Sequence, residues 1–541
     1  MMKRLLITTI LCLSLFILTI AQTKNGFGLL TDRGAYVSGE QMLVKVYHPS
    51  DNLSKIVYLD LINPFGNRVA GATLEFNGDQ ASGFLTLPDS ISTGSYLLRS
   101  YLKKSASKTR IIRNIWITNR FTGLEKTKQL NRVISKKPIT ENSTDQIEIT
   151  GIDTILSTKN NASAQIRLDN KIMSQIDGPL LISVAQSTPE FESVSFVSES
   201  ANGKDGMAEK KGVVLSGLIT DKKTSAPVAG ATVYMTVPDS IPGFQYYLTQ
   251  TDGRFYFQLE GYTGQVEAFV QCFSKTPAQR LKITMDELFA PADSIPAFSA
   301  LPLTDDFKNT VAQNVDAVTF QKIFEQNRLK LEQAATKIPE AYPYYGVATN
   351  VVDPQLFIDL PNFSEISKEL LPGVKYRNYN NEPTIRVMNP AQHSYFEETP
   401  LLLINGIPIQ NVNVIKDMGT TDIKRVDIVQ SERFYGNQRF PGVVAIYSMK
   451  NDYSRIPETD QFIRVKFDAA QVKSALQQPE INDPSIPDLR QVLYWNPETP
   501  VSESISVSFK TSDVLGKYNI RIIGKLTDGT LFGYEKHFEV K

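Results

Sequence analysis

Short runs in which apolar residues occupy every second position occur along most of the chain. Near the C-terminal end, Ile505, Val507 and Phe509 alternate with serines, and many such runs are bounded by turn-forming residues such as those at positions 63–67. A period of two is typical of strands with one buried face. Many short strands separated by turns predict β-sandwiches. The predicted fold class is therefore mainly β, with several Ig-like β-sandwich domains in series.

Breaks in this pattern divide the 541 residues into modules. The predicted order is a signal peptide (1–21), a β-sandwich (22–122), a second β-sandwich (130–195), a polar linker (198–211), a third β-sandwich (212–290), a helical connector (305–340), a small α+β module (344–451) and a last β-sandwich (460–541). The connector is predicted because Phe307, Val311, Val315 and Val318 fall on one helical stripe. A stripe of this kind either packs on its own domains or binds a partner helix.

The N-terminus has the layout of a secretory signal peptide. Lys3 and Arg4 precede an apolar stretch, and the chain turns polar after Ala21. A membrane anchor is the alternative, but no basic cluster follows the stretch. We expect cleavage after Ala21, with no transmembrane segment in the mature chain. Cys12 would then be lost, and Cys272 alone cannot form an internal disulfide.

Charge gives little indication of a partner. The chain has 57 basic and 57 acidic residues, so nothing favours nucleic acid or an anionic membrane. One basic stretch stands out, and it either protects an exposed sheet edge or meets an anionic glycan. It consists of Arg99, Lys103, Lys104, Lys108, Arg110 and Arg113.

The chain carries few residues with which to build an active site. Its three histidines, His48, His393 and His537, fall in different predicted modules, and no known metal, nucleophile or phosphate-binding motif occurs. Glu397 and Glu398 are adjacent, so in a strand they would point to opposite faces. We therefore predict a non-enzymatic protein with no cofactor and no metal, although acids brought together from distant segments remain an alternative.

Several segments resemble modules of exported Bacteroidota proteins. Residues 31–40 and 94–101 resemble a macroglobulin-type repeat, and residues 213–221, 227–233 and 251–255 are similar to the carboxypeptidase regulatory-like fold, a small sandwich without catalytic residues. Residues 488–490 and 494–497 resemble the C-terminal sandwich of the same envelope proteins. These resemblances imply a series of spacer domains.

Residues 400–450 resemble the plug domain of TonB-dependent outer-membrane receptors. The resemblance is carried by the strand Leu-Leu-Leu-Ile before Asn405-Gly406, by Phe434-Tyr435-Gly436, and by the Gly-Val-Val-Ala-Ile strand from Gly442. Asn-Gly predicts a tight hairpin turn. Plug domains usually carry Asp where this chain has Asn405. A receptor would continue with a barrel of about 22 strands, for which residues 451–541 are too few. Either the plug-like module works on a barrel supplied by another chain, or it is reused as a plain scaffold.

The predicted binding residues lie between the strands of this plug-like module. The connections at 410–421 and 431–441 are expected to form its recognition surface, and the second is rich in arginine and aromatic residues. The alternative is that Phe434 and Tyr435 pack inward and that the arginines are merely solvated. The candidate partner-binding residues are Arg433, Phe434, Tyr435, Arg439 and Phe440. Four Asp-Ser/Thr-Ile triplets also resemble O-glycosylation signals, although Asp-Ser pairs are ordinary turn formers as well. Their acceptors would be Ser90, Thr154, Ser240 and Ser294.

Together these features predict an exported, periplasmic protein associated with the outer membrane. It would be a non-catalytic accessory that docks on or occludes a pore made by another chain, either a type IX secretion translocon or a TonB-dependent transporter. The alternative is a surface-exposed adhesin or glycan-binding multidomain protein.

Overall fold

A computed structural model of the chain describes residues 27–48, 54–105, 109–124, 146–188, 195–199, 207–239, 241–273, 280–291, 304–323, 342–379, 382–450, 453–471 and 486–541. The chain divides into two compact units. One consists of Met1–Val213, Phe289–Ala334 and Asp468–Lys541, and the other of Val214–Leu288 and Ala335–Phe467. The predicted signal peptide and Cys12 lie outside the described residues.

The first part of the chain contains thirteen described strands and a one-turn helix. Strands β1 to β8 are Gly28–Thr31, Ala35–Val37, Gln41–Tyr47, Ile56–Ile62, Arg68–Glu75, Gln80–Thr86, Gly94–Tyr101 and Thr109–Thr118. Strands β9 to β13 are Ile147–Thr150, Ile155–Leu156, Asn161–Leu168, Leu180–Gln186 and Ser195–Glu199, and helix α1 is Asn170–Met173.

The middle and last parts continue the β-rich pattern. Strands β14 to β19 are Val213–Asp221, Thr232–Val237, Gly243–Leu248, Arg254–Leu259, Gln265–Phe273 and Leu281–Met285. Strands β20 to β27 are Asn350–Val352, Val374–Tyr379, Glu382–Asn389, Ser394–Tyr395, Leu401–Ile404, Ile407–Pro408, Ile423–Tyr435 and Gln438–Ser448. Strands β28 to β32 are Phe462–Asp468, Val492–Thr499, Ser504–Lys510, Gly516–Lys525 and Leu531–Val540. Helices α2 and α3 are Asp305–Ile323 and Phe363–Glu369.

Strands β1 to β8, together with β13, form the first sandwich. One sheet has the order β1-β3-β6, and the other has the order β13-β8-β7-β4-β5, with β2 paired to β8. Alternate residues such as Val44, Leu59 and Leu98 point into a common buried core. Burial of these faces stabilises the sandwich by about 25 cal/mol for each Å² of apolar surface.

The polar linker predicted at 198–211 is in part attached to this first sandwich. Ser198 and Glu199 belong to β13 and pair with β8. Glu209 is buried, and its carboxylate accepts a hydrogen bond of 2.6 Å from the Tyr58 hydroxyl. The prediction of a free linker was therefore wrong for these residues, because a polar composition does not reveal a strand pairing or a buried partner.

The basic stretch does not protect a sheet edge. Strand β8, which carries Arg110 and Arg113, lies between β7 and β13, and both arginines are buried. Arg99 is also buried and donates two hydrogen bonds to Asp60, at 2.9 and 2.6 Å. Lys108 lies outside the described residues. The edge prediction was wrong because sequence alone does not show that β13 covers β8.

The second sandwich combines strands that the sequence analysis placed in two different domains. Its five-stranded sheet has the order β10-β32-β31-β12-β29, and its three-stranded sheet has the order β30-β11-β9. Strand β12 pairs on one side with β29 and on the other with β31. The predicted sandwiches at 130–195 and 460–541 are therefore one domain. Alternation identifies the buried face of a strand, but it does not identify the strand's neighbours.

The third predicted sandwich is present as a small sandwich that borrows a distant strand. Its sheets have the orders β17-β14-β19 and β16-β15-β18-β28. Strand β28 lies in the segment predicted to open the last sandwich, so this boundary was also wrong. The alternation in β17 is confirmed, because Phe255, Phe257 and Leu259 are buried. Cys272 is buried in β18.

Residues 342–450 form a mixed α+β module, here called the hairpin module. Its main sheet has the order β20-β26-β27-β24-β25, in which β24 and β27 are parallel. A three-stranded sheet, β21-β22-β23, and helix α3 cover one face. Asn362 caps α3 by accepting from the Glu365 N–H at 3.1 Å.

Helix α2 packs on the first sandwich. Phe307 and Val311 contact Ala35 and Trp116, with the Phe307 and Trp116 rings edge to face at 5.9 Å. The rest of the predicted connector, residues 324–340, lies outside the described residues. No helix in the described ranges is both long and apolar enough to cross a membrane.

Candidate interaction site

The predicted recognition loop at 431–441 is the tip of a long β-hairpin. Arg433 pairs with Phe440, Phe434 with Arg439 and Tyr435 with Gln438, so only residues 436 and 437 form the turn. Gly436 has φ +59°, which a residue without a side chain adopts most easily. The loop prediction was wrong because the alternation of β26 and β27 continues beyond their apolar parts into polar residues.

Two of the five candidate binding residues point inward. Phe440 is buried with Leu401, Leu403 and Val443 on one face of the main sheet. Tyr435 is half-buried, and its hydroxyl donates a hydrogen bond of 2.9 Å to the Phe244 carbonyl in β16. Neither side chain is presented to a partner, and for Tyr435 this is the inward packing that the sequence left open as an alternative.

The other three candidate residues are at the surface, and two of them are held by neighbours. Arg439 forms ion pairs of 2.6 Å with both Glu398 and Glu432. The Arg433 side chain donates to the Tyr345 carbonyl at 2.9 Å. Phe434 projects outward and is 66% exposed. Of the predicted set, only Phe434 offers an apolar surface.

The predicted connection at 410–421 is also partly internal. It contains 3-10 turns at Val412–Ile415 and Thr420–Asp422. Val412, Ile415 and Met418 are buried in the core beneath helix α3. This segment therefore contributes more to the core than the sequence analysis expected of a recognition loop.

The hairpin tip packs on the small sandwich through polar contacts. The Asn437 N–H donates to the Tyr246 hydroxyl at 3.1 Å, and the Tyr234 hydroxyl donates to the Gln438 side chain at 2.9 Å. A Cβ atom at Gly436 would overlap the Tyr246 hydroxyl. The approach is therefore closer than any residue with a side chain would allow.

Aromatic rings fill the same interface. Phe244 stacks on Tyr344 with ring centroids 4.3 Å apart, and both rings contact Tyr435 edge on. Aromatic pairs of this kind contribute about 0.5–1.5 kcal/mol each beyond their buried area. The Tyr435 ring at the hairpin tip is thus packed within the chain, whereas Phe434 is not.

A second contact joins the small sandwich to the Asn405-Gly406 turn. Both turn residues have positive φ, +48° and +82°, and they close the two-residue hairpin that the sequence predicted. A Cβ atom at Gly406 would overlap Pro242. Nearby, the Gln271 side chain donates to the Pro408 carbonyl at 2.9 Å. The small sandwich and the hairpin module therefore meet at two glycine turns.

A polar cluster lies beneath the Tyr345 ring in the hairpin module. The Tyr345 hydroxyl is 3.1 Å from an Asp427 oxygen and 2.7 Å from the Tyr447 hydroxyl. Arg425 forms an ion pair of 2.9 Å with Asp427. Burial raises the pKa of Asp427 from its usual value, and Arg425 opposes that rise. These groups hold one another in place within the module, and Asp427 Oδ1 makes no hydrogen bond among the described residues.

The sequence analysis missed an exposed apolar run in the same module. Leu356, Phe357 and Ile358 are consecutive and are 80%, 55% and 71% exposed. The preceding 3-10 turn, Pro354–Leu356, is capped by Asp353, and Gln355 reaches the exposed Met449. Three adjacent large apolar residues next to a Pro turn were the available signal, but such a run also fits a buried strand.

The histidines are dispersed as predicted from the sequence. His48 packs edge to face on Phe27 with ring centroids 4.6 Å apart, His393 is exposed, and His537 is 2.5 Å from the Asn519 side-chain oxygen. Among the described residues, no three metal-binding side chains converge. Burial raises the pKa of the Cys272 thiol to about 12.

Two of the four glycosylation candidates can be placed. Ser90 and Thr154 are exposed. Ser240 and Ser294 lie outside the described residues. Beside Ser90, the Asp89 carboxylate pairs with Lys322 at 2.6 Å and with Arg120 at 3.1 Å.

The chain is similar in part to several solved bacterial structures. Salmonella alpha-2-macroglobulin reacted with methylamine matches with 9% identity over 97% of this chain and 40% of its own, at a TM-score of 0.21. Native Escherichia coli alpha-2-macroglobulin matches with 11% identity over the same shares, at 0.22. The Escherichia coli adhesin FdeC matches with 11% identity over 48% of this chain and 64% of its own, at 0.14.

This chain therefore spans less than half the length of the macroglobulins that it matches. Scores this low carry no information on how the chain works. No protein-family model matches the chain. No curated protein sequence matches it either.

Proposed function

We propose that the protein is a non-catalytic, exported accessory that docks on an outer-membrane pore made by another chain, and that the hairpin module carries the docking surface. The pore would be a type IX secretion translocon or a TonB-dependent transporter. The observation that carries the proposal is the exposed apolar run, Leu356, Phe357 and Ile358. Adjacent large apolar residues left in water are costly, and such a patch typically marks an interaction site.

Docking on a pore fits this arrangement better than entering one. The hairpin tip is occupied by Phe244 and Tyr246 of the small sandwich, so it offers little surface to a partner. The apolar run follows a capped 3-10 turn, so its backbone is positioned by the module. A pre-positioned apolar segment loses little conformational freedom on binding.

The proposal is tested by co-purification from native envelope membranes. The variant Leu356→Asp/Phe357→Asp places two charges on the run without disturbing a buried side chain. We expect it to lose the membrane partner that the wild-type chain retains. Phe65→Asp is the matched control, since Phe65 is an exposed phenylalanine in a turn of the first sandwich and should not affect retention.

A second control separates the apolar run from the surface predicted by sequence. Phe434→Asp alters the remaining exposed aromatic residue of that set, and we expect its partner retention to be close to wild type. Full retention by the folded Leu356→Asp/Phe357→Asp variant would refute docking through the run. A wild-type chain that purifies without a membrane partner and binds a glycan would favour the adhesin alternative.

A further inference from the structure

Strand β30, residues Ser504–Lys510, is a sheet edge that is open between its two ends. At the ends, the Ser502 hydroxyl donates to the Ser504 carbonyl at 2.9 Å and Arg490 donates to the Lys510 carbonyl at 3.3 Å. It pairs along its whole length with β11, and in the described part of the chain it lies at the end of its sheet. Seven residues span about 23 Å at 3.3 Å per residue. An edge strand leaves alternate backbone N–H and C=O groups unpaired, which makes it a template for another strand.

Three other sheet edges in the described part of the chain are guarded. Strand β28 carries Arg464 and Lys466, and β29 contains Pro497. In β6, the Gln471 side chain bonds both the N–H and the carbonyl of Phe84, at 3.0 and 2.7 Å. In contrast, β30 has no charge or proline from Ser504 to Phe509.

The residues of β30 are complementary to a second copy of themselves. In an antiparallel pair centred on Val507, Ser506 would face Ser508 of the other copy, and Ile505 would face Phe509. The structure already contains the same kind of pairing, because Ser163 on β11 lies opposite Ser508 with hydroxyls 3.5 Å apart. Hydroxyl pairs and aromatic–β-branched pairs are favourable across strands.

No like charges face each other in the same register. Lys510 would lie opposite Ser504 of the second copy, and the two-fold axis repeats this pairing at the other end. Glu503 is exposed, and Lys510 is half-buried. Glu503 and Lys510 point to opposite faces of the strand, so the edge pairs with itself without like-charge repulsion.

We propose that the protein forms a two-fold homodimer by antiparallel pairing of β30 with β30, which joins two three-stranded sheets into one sheet of six. A single strand pair is smaller than the standard interface of about 800 Å² per partner. We therefore expect a weak dimer with a Kd on the order of 10 µM.

Sedimentation equilibrium of the purified chain, at up to about 100 µM, tests the dimer. The variant Ser506→Lys/Ser508→Lys places like charges opposite each other in the proposed register, and we expect dimerisation to weaken at least about tenfold. The variant Ser506→Asp/Ser508→Lys changes the same two exposed positions but creates two Asp–Lys pairs, and it should dimerise at least as well as wild type.

Thermal unfolding of both variants provides the folding control, and their midpoints should match wild type closely because both side chains are exposed. A wild-type chain that stays monomeric at the highest concentration would overturn the dimer. Equal dimerisation of the two variants would overturn the register and place the contact elsewhere. Retention of the membrane partner is measured separately, so failure here is distinguishable from failure of the proposed docking.

Discussion

The contact between Gly436 and Tyr246 offers a direct test of how the hairpin tip is used. Gly436 has φ +59°, and a Cβ atom there would overlap the Tyr246 hydroxyl. The change Gly436→Ala therefore adds two penalties. The left-handed backbone costs a residue with a side chain about 1 kcal/mol, and the overlap pushes Tyr246 away from Asn437.

The second penalty is estimated from the contacts that Tyr246 would lose. Its hydroxyl accepts from the Asn437 N–H at 3.1 Å, and its ring lies 6.0 Å from that of Tyr435. A hydrogen bond contributes about 1 kcal/mol, and an edge-on ring pair contributes about 0.5–1.5 kcal/mol. Gly436→Ala should therefore destabilise the wild-type protein by about 2.5–3.5 kcal/mol in total.

Removing the tyrosine ring should abolish the steric part of that penalty. In a Tyr246→Ala background, Gly436→Ala should cost only the backbone term of about 1 kcal/mol. The two changes should therefore be non-additive by about 1.5–2.5 kcal/mol. A matched control is Gly264→Ala in the small sandwich, because Gly264 has φ +69° with no atom near its missing Cβ.

Cys272 provides the assay. It is buried in β18 of the small sandwich, so a thiol reagent reaches it only when that domain opens. Labelling rates across a denaturant series give the free energy of opening. Additivity of Gly436→Ala and Tyr246→Ala within about 0.5 kcal/mol would refute the packing of the hairpin tip on β16.

Three further predictions concern buried groups. Burial raises the pKa of the Cys272 thiol to about 12 against an ordinary value of 9.0. Between these values the unfolded chain loses the proton and the folded chain keeps it, so the stability of the domain should fall as pH rises from 9 to 12, as measured by thiol labelling. Asp60→Ala leaves the buried Arg99 unpaired and should cost about 3–5 kcal/mol in chemical unfolding, whereas Asp60→Leu/Arg99→Met should cost less. Asn405→Ala loses tolerance of positive φ and the 2.8 Å bonds to Ser448, so it should cost about 2 kcal/mol, and Asn405→Asp clearly less.

Local features were the ones that sequence predicted well. Asn405-Gly406 specifies its two-residue turn because both residues tolerate positive φ. The alternation at Val507 and Phe509 specifies a strand with one buried face, and the stripe that contains Phe307 and Val311 specifies a helix with one buried face. In each case the deciding interactions lie within a few residues of the signal, so the pattern alone is sufficient.

Pairings between distant segments were not predictable in the same way. Strand β12 pairs with β29 and β31, more than 300 residues later in the chain, and β28 completes the sheet of β18. An alternating strand fits the edge of many sheets, and the choice among them depends on the cores that form around it. The predicted module boundaries therefore assumed that each sandwich is built from strands that follow one another in sequence. In this chain, two of the sandwiches also use strands from distant segments.

The candidate site shows why composition is a poor guide to a binding surface. Aromatic and arginine residues are typical of hot spots between proteins, but they serve equally well between two modules of one chain. In this chain, glycine distinguishes a contact between two modules from a binding surface for another protein. At Gly406 and Gly436 the turn requires positive φ and the neighbouring module leaves no room for a Cβ atom. A surface that binds a dissociating partner does not require a positive φ and an excluded Cβ atom at the same residue. The two glycine turns therefore indicate a permanent contact, and a docking surface is better sought among exposed residues such as Phe357.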